Sequence, residues 1–197
     1  MNIDDQVKTE KTEFPVKYVL GPLILVLILC LGVSFVWYRA ISAVDEGFDA
    51  ILMRETTSGR NWNCEEKRLA GFPFRIELSC SKITLSIPIT GEHYQFGRTI
   101  AVAQIYQPEL AIIESEGPLV VTSLDIEPFA LSWHLARGSI RFQGRDLPER
   151  VSVEADSLTM TRGENGQPPS RISHFEMHAM RHAETFAQDR AYDLAFN

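Results

Sequence analysis

Basic charge is what this 197-residue sequence has least of: 19 Lys and Arg stand against 26 Asp and Glu, a formal net charge of −7. The charges form no blocks, which argues against a nucleic-acid ligand, because displacing counterions needs a concentrated basic surface. Beyond residue 17 only Lys67 and Lys82 are lysines and the other cations are arginines. Arginine on solvent-facing strand positions is commonly a cross-strand charge partner and marks no ligand site. Catalytic groupings are missing as well. The sequence has no Gly-rich loop followed by Lys-Ser/Thr, no Gly-x-Ser-x-Gly elbow and no repeat of fixed period. Carboxylate pairs such as Glu65-Glu66 and Glu114/Glu116 number no more than an acidic surface supplies. The chain reads as non-enzymatic and without a cofactor.

Cysteine is equally scarce, at three. Cys30 falls in an apolar run, which leaves Cys64 and Cys80 as an even pair in the remainder. A disulfide between them would close a loop of about 17 residues, contribute roughly 3 kcal/mol and persist only in an oxidising compartment. The alternative is two buried free thiols.

The apolar run itself, Val19 to Val36, contains no charge and is bracketed by Tyr18 and Trp37-Tyr38. At ~1.5 Å of helical rise per residue it spans roughly 27 Å, and the aromatics extend it to about 30 Å, the hydrocarbon thickness of a bilayer. The rival reading is a cleaved signal; the length of the run and the large residues, Tyr38 and Ile41, two positions before Ala40 and Ala43 favour a retained anchor over it. Gly21 and Pro22 are placed in the first turn, where a missing donor does little harm. Lys8, Lys11 and Lys17 precede the span and Arg39 and Arg54 follow it, which together with the cysteine pair places the N-terminus in the cytosol. The expected organisation is a cytoplasmic tail at 1–17, a membrane helix at 18–38, a helical stalk at 39–57 and one β-rich domain at 58–197.

The stalk is predicted from Ile41, Val44, Phe48, Ile51 and Leu52, spaced by threes and fours among Asp45, Glu46 and Asp49. After Gly59 the apolar period changes to two. Phe74, Ile76, Leu78 and Cys80 form the clearest strand, and the phase then slips to Ile83, Leu85, Ile87 and Ile89, so a bulge or a second strand is expected near Ser81-Lys82. Further strands are predicted at Thr99 to Tyr106, Leu110 to Glu114, Leu119 to Leu124, Phe129 to Leu135, Ser139 to Gln143, Val151 to Ala155, Leu158 to Thr161, Ile172 to Met180 and Tyr192 to Phe196. Turns are expected at Gln107-Pro108, Glu116-Gly117-Pro118, Glu127-Pro128, Arg137-Gly138, Gly144-Arg145-Asp146 and 163–170, the last carrying Asn165-Gly166. The fold class is mainly β: one membrane helix and stalk, then a mostly antiparallel sheet, as a sandwich, barrel or curved groove. The alternation stops in mid-pattern at Phe196, which suggests either a final central strand or a chain cut short of its natural end, and the second is the expectation.

Gly59 to Cys64, Gly71-Phe72-Pro73-Phe74-Arg75 and Cys80, with Ala103 to Pro108, Gly117-Pro118-Leu119 and Gly138 to Arg141 after Trp133, resemble the signature of an uncharacterised bacterial family of membrane-anchored envelope proteins, domain of unknown function 2125. The Gly-Phe-Pro-Phe-Arg piece is the most specific of these. The resemblance implies an envelope location, in the inner membrane with a periplasmic β-rich domain, and supplies no catalytic residues. Physically, Gly71 and Pro73 suit a tight turn, with Phe72 and Phe74 seating the next strand in the core and Cys64 and Cys80 stapled across the hairpin.

His174, His178 and His182 stand at i, i+4 and i+8, which on a helix, with Glu176 or Glu184, would make a zinc site. Phe175 and Met177 alternate with them instead, and on a strand His174 and His178 lie about 13 Å apart, so no metal is expected. Two functions remain. The first is a tethered protein whose sheet offers an apolar groove to lipid or another hydrophobic ligand, suggested by Ala111-Ile112-Ile113 and Leu119-Val120-Val121, apolar on both faces. The second is a non-enzymatic scaffold binding another envelope protein. A reporter fused to the C-terminus is expected to be active only outside the cytosol, with the chain retained in the membrane pellet; cytosolic activity or release as a soluble species contradicts the placement.

Overall fold

The computed structural model describes residues 16–124, 126–143, 148–163, 168–181 and 192–196. Lys8, Lys11, His182, Glu184 and the expected turns Gly144-Arg145-Asp146 and Asn165-Gly166 lie outside the described residues.

Helix α1 runs unbroken from Val16 to Thr57. Pro22 therefore stands inside the helix and not in its first turn, because α1 begins at Val16. The helix ends where Gly59 takes φ +79°, the left-handed conformation that closes a helix, and its N–H donates to the Thr56 carbonyl. Its first half exposes Leu20, Leu23, Leu25, Ile28 and Leu31 to their surroundings, as a lipid-facing helix must. In its second half Ile41, Val44, Phe48 and Leu52 are half-buried while Ile51 is exposed, so the stripe that meets the sheet is one residue narrower than its sequence pattern.

The sheet follows as β1 (Asn61–Glu65), β2 (Arg68–Ala70), β3 (Arg75–Cys80), β4 (Lys82–Ile87), β5 (Glu92–Phe96), β6 (Thr99–Gln104), β7 (Gln107–Ser115), β8 (Leu119–Thr122), β9 (Phe129–Ser132), β10 (Ala136–Phe142), β11 (Pro148–Arg162), β12 (Ser170–Arg181) and β13 (Tyr192–Phe196). Every pairing is antiparallel. The order β1-β4-β5-β8-β9-β11-β10-β7-β6-β3-β2 hides a simple plan. β1 with β2, β3 with β4, β5 with β6, β7 with β8, and β9 with β10 are each a long strand broken near its middle. Together with the undivided β11 they form one meander, and β12 and β13 extend it. The breaks line up as a crease. One arm of the sheet, β1-β4-β5-β8-β9, lies on one side of it, the other, β2-β3-β6-β7-β10, lies on the far side, and β11 pairs with the ends of both.

Residues at the crease suit an interrupted ladder. Ser81 N–H and Oγ–H both donate to the Glu65 carbonyl, Glu116 N–H donates to the Arg98 carbonyl, and the Trp133 indole donates to Ser115 O at 2.8 Å. These bonds satisfy groups that the regular ladder no longer serves. A Cβ on Gly97 would sit 2.5 Å from the Glu116 carbonyl oxygen, so the strands approach here only because that side chain is absent. In β11 the break is a single residue, Ser157, at φ +54°.

The disulfide between Cys64 of β1 and Cys80 of β3 joins one arm to the other. It joins the two limbs of the hairpin that turns at Gly71 to Arg75, as the sequence pattern suggests, but across the crease: Cys64 stands opposite Ile83 and not Cys80. Other expectations are corrected. Arg137-Gly138 is mid-strand in β10, and the interruption falls at 133–135. Gln107-Pro108 opens β7, and the turn is Ile105-Tyr106. The candidates at Val151 and Leu158 are one strand, since Ser157 absorbs the irregularity without ending the pairing with β12. Strands β1, β2 and β5 have only one or two large apolar residues each, too few to show a period. Phe72 and Phe74 are 57% and 65% exposed and seat nothing in a core, because their turn projects beyond the end of the sheet.

Replacing Cys80 by Ser is expected to cost about 3 kcal/mol in denaturant unfolding, the loop-closure contribution of the bond, and reductant should produce the same loss in the unaltered chain.

Candidate functional site

Strand alternation sorts side chains by face, and directly paired residues share a face. Through one arm runs the row Leu69, Leu78, Ala101, Ile113, Gly138, Val153, Met177 and Phe196. Its neighbours Ile76, Ala111, Ile140, Val151 and Phe175 extend the same apolar surface. Across the crease the row is Trp62, Leu85, Tyr94, Val121 and Phe129, beside Leu119, Leu131 and Met160. The Cys64–Cys80 bond links the apolar face of one arm to that of the other, so both arms turn their apolar side to the same place.

Except between β7 and β8, where Ile113 and Leu119 keep an even spacing, the alternation slips by one at the crease to allow this. Cys64 and Leu69, Cys80 and Ile83, Phe96 and Ala101, Leu131 and Ala136, and Ala155 and Leu158 face the same way at odd spacings. A kinked strand is what makes an odd spacing compatible with one face.

No second layer covers this surface among the described residues apart from α1 at its margin. Among the described residues the buried hydrophobic ones are Ile76, Cys80, Val121, Ala155 and Leu158, and none of the described side chains is fully enclosed. Phe48 and Leu52 of α1 meet Trp62, Cys64 and Ile83 around a cleft of about 310 Å³. A strut fixes the helix there: Lys67, at the crease, lies 2.7 Å from both Asp45 and Asp49 of α1, and those carboxylates raise the Lys67 pKa above its ordinary value, Asp45 first. Arg60 pairs with Glu55 at the helix end.

The opposite face is polar and partly cross-linked by charge. Arg137 donates to Glu114 at 3.1 Å. His174 and His178 do share this face of β12. His174 Nδ1 lies 2.6 Å from Asp156 and its Nε2 3.3 Å from Glu176, while His178 Nδ1 lies 2.9 Å from Ser152 Oγ. Among the described residues no three His, Cys, Asp or Glu side chains are grouped to hold a metal ion. Two apolar residues that the sequence shows on both faces are placed here: Ile112 is 44% exposed among Arg137, Ser139, Ser152 and His178, and Val120 stands opposite Gln95 and Ala130.

Gly71-Phe72-Pro73-Phe74-Arg75 forms the β2–β3 turn and docks on α1. The Trp37 indole donates to the Arg75 carbonyl at 3.1 Å, and the Trp37 and Phe72 rings meet edge to face at 5.3 Å. Gly71 takes φ +106° and accepts from Arg75 N–H.

Those residues lie within a stretch, 37–197, that matches the profile of an uncharacterised protein family conserved in bacteria, DUF2125. The chain belongs to this family. No curated protein and no solved structure matches it. The DUF2125 match begins at Trp37, the residue on which the turn docks, and so takes in the second half of α1 together with the whole sheet.

The Asp156 carboxylate, then Glu176, holds the His174 pKa above 6.5. A group raised on folding stabilises the fold fully below its unfolded value and loses that contribution as pH rises through its folded one. An NMR titration of the His174 ring is expected to place its midpoint above 6.5, and Asp156→Asn to move it down.

Proposed function

We propose that this protein is a single-pass, membrane-anchored envelope protein whose creased sheet holds lipid or another hydrophobic ligand against its apolar face. The carrying observation is the continuous row from Leu69 to Phe196, with its counterpart from Trp62 to Phe129, lacking a covering layer among the described residues. Apolar surface on this scale in a soluble domain is normally covered, and each uncovered Å² forgoes roughly 25 cal/mol. A ligand of extended hydrocarbon character fits a surface built from aliphatic side chains with few polar groups to orient a head. Helix α1 is long and apolar enough to cross a membrane and fits an anchor. The placement that suits the disulfide and the lysines before the span is the bacterial inner membrane, with the N-terminus cytoplasmic and the sheet periplasmic. The role needs neither a catalytic group nor a cofactor, and its partner is membrane lipid.

A second reading, a scaffold that binds another envelope protein, is favoured by Ile89, Leu124 and Ile126, exposed on the loops at the end of the sheet remote from Trp37. It predicts that crosslinks form from those loops.

Mass spectrometry of the intact protein, purified and washed free of detergent-extractable lipid, should detect retained lipid. Met177→Glu and Leu131→Glu, on the apolar face of either arm, are expected to reduce it several-fold, whereas Ile112→Glu on the polar face leaves it unchanged. Equal retention in all three variants would remove the groove.

A further inference from the structure

Three large hydrophobic side chains at one end of the sheet stand largely exposed, although the Phe72 ring touches Trp37. Phe72, Phe74 and Tyr106 are 57%, 65% and 73% exposed on two adjacent turns, β2–β3 and β6–β7. These turns stand beside the apolar half of α1. Pro73, Phe74, Ile105 and Tyr106 line a cleft of about 520 Å³ whose other wall is Ile28, Leu29, Gly32, Val33 and Val36. The cleft therefore opens below Trp37, at a level where α1 carries only uncharged residues. Ile28 lies about 13 Å down the helix axis from Trp37 at 1.5 Å per residue.

We infer that the Phe72–Phe74 and Ile105–Tyr106 turns insert into the leaflet on the sheet's side of the membrane, where acyl chains fill the cleft against α1. The backbone is prepared for a medium without water. Arg75 N–H donates to Gly71 O, Ile105 N–H donates to Phe74 O at 3.0 Å, the Trp37 indole takes the Arg75 carbonyl, and Pro73 has no N–H to satisfy. Charge enters where headgroups begin: Arg75 follows Phe74 directly and turns its guanidinium to Glu77 at 3.2 Å, with 60% of its side chain open to lipid phosphate. Aromatic residues flanked by a cation at this depth match the interfacial belt of membrane proteins. The occupant is set by continuity, since the second wall of the cleft is the lipid-facing surface of the anchor itself. The inference rests on α1 crossing the bilayer and is independent of what the apolar face of the sheet carries.

The test is tryptophan emission from the full chain in phosphatidylcholine–phosphatidylglycerol vesicles, with and without acyl-chain bromination. Phe74→Trp and Tyr106→Trp are compared with Leu25→Trp in the anchor and with Ile89→Trp, which neighbours Gly59 at the far end of α1. Bromination is expected to quench the added emission at positions 74 and 106 at least twofold, as at 25, and to leave position 89 unaffected. If 25 is quenched and 74 and 106 are not, the insertion is wrong although the anchor stands; if 25 is not quenched, the membrane reading itself fails. Shielding of 74 and 106 from aqueous iodide without lipid quenching would show that they pack on protein, such as a second copy, and would also overturn the proposal. The two positions report separately, so a folding defect in one variant leaves the other decisive.

Discussion

A wide sheet with one apolar face has to withdraw that face from water, and among the described residues only α1, at its margin, forms a second layer over it. The strands from β1 to β11 are interrupted along one crease, and the two halves of the apolar surface are brought to one side and fixed by the Cys64–Cys80 bond. The other features follow from that crease. Odd spacing between the apolar residues on either side of it, a glycine where a Cβ would strike the Glu116 carbonyl, and side-chain donors capping the freed carbonyls are all costs of bending. Among the described residues the result is few buried side chains and a large half-covered surface.

Helix α1 sets how that surface is presented. It rises past Trp37, is tied by Asp45 and Asp49 to Lys67 at the crease, and ends beside Arg60, from which β1 and β2 return to Phe72. Contacts at its lower, middle and upper levels hold the sheet alongside the helix. The Gly-Phe-Pro-Phe-Arg turn is the lowest of these contacts, which gives it a physical role in holding the sheet to the helix.

Much of this was legible in the sequence, and what was hidden has identifiable causes. The long apolar helix, the antiparallel strands from β6 onward and the cysteine pair each rest on strong local patterns: an uncharged run, a period of two, and an even count. Even the crease left a trace, as the phase slip at Ser81-Lys82, and the same odd spacing recurs at Ala155 and Leu158. It reads as a local bulge until the register shows it to be shared by neighbouring strands. Strands β1 and β5 were invisible because asparagine, glutamate, histidine and glutamine leave them too few apolar residues to set a period, and β2, with three residues, is too short to show one. Phe72 and Phe74 misled for a different reason. Aromatics in phase with a strand normally face its core, and only the position of α1 reveals that these two extend past the end of the sheet.

The meander pairs nearly every strand with its neighbours in the chain, and the disulfide spans a sequence separation of only 16. Contacts so close in sequence carry little loop-closure cost and are made early in folding. A polypeptide delivered from its N-terminal end can add strands in the order of arrival onto a hairpin already bound to the helix. No strand has to wait for a distant partner, which shortens the time that its exposed edge is open to aggregation.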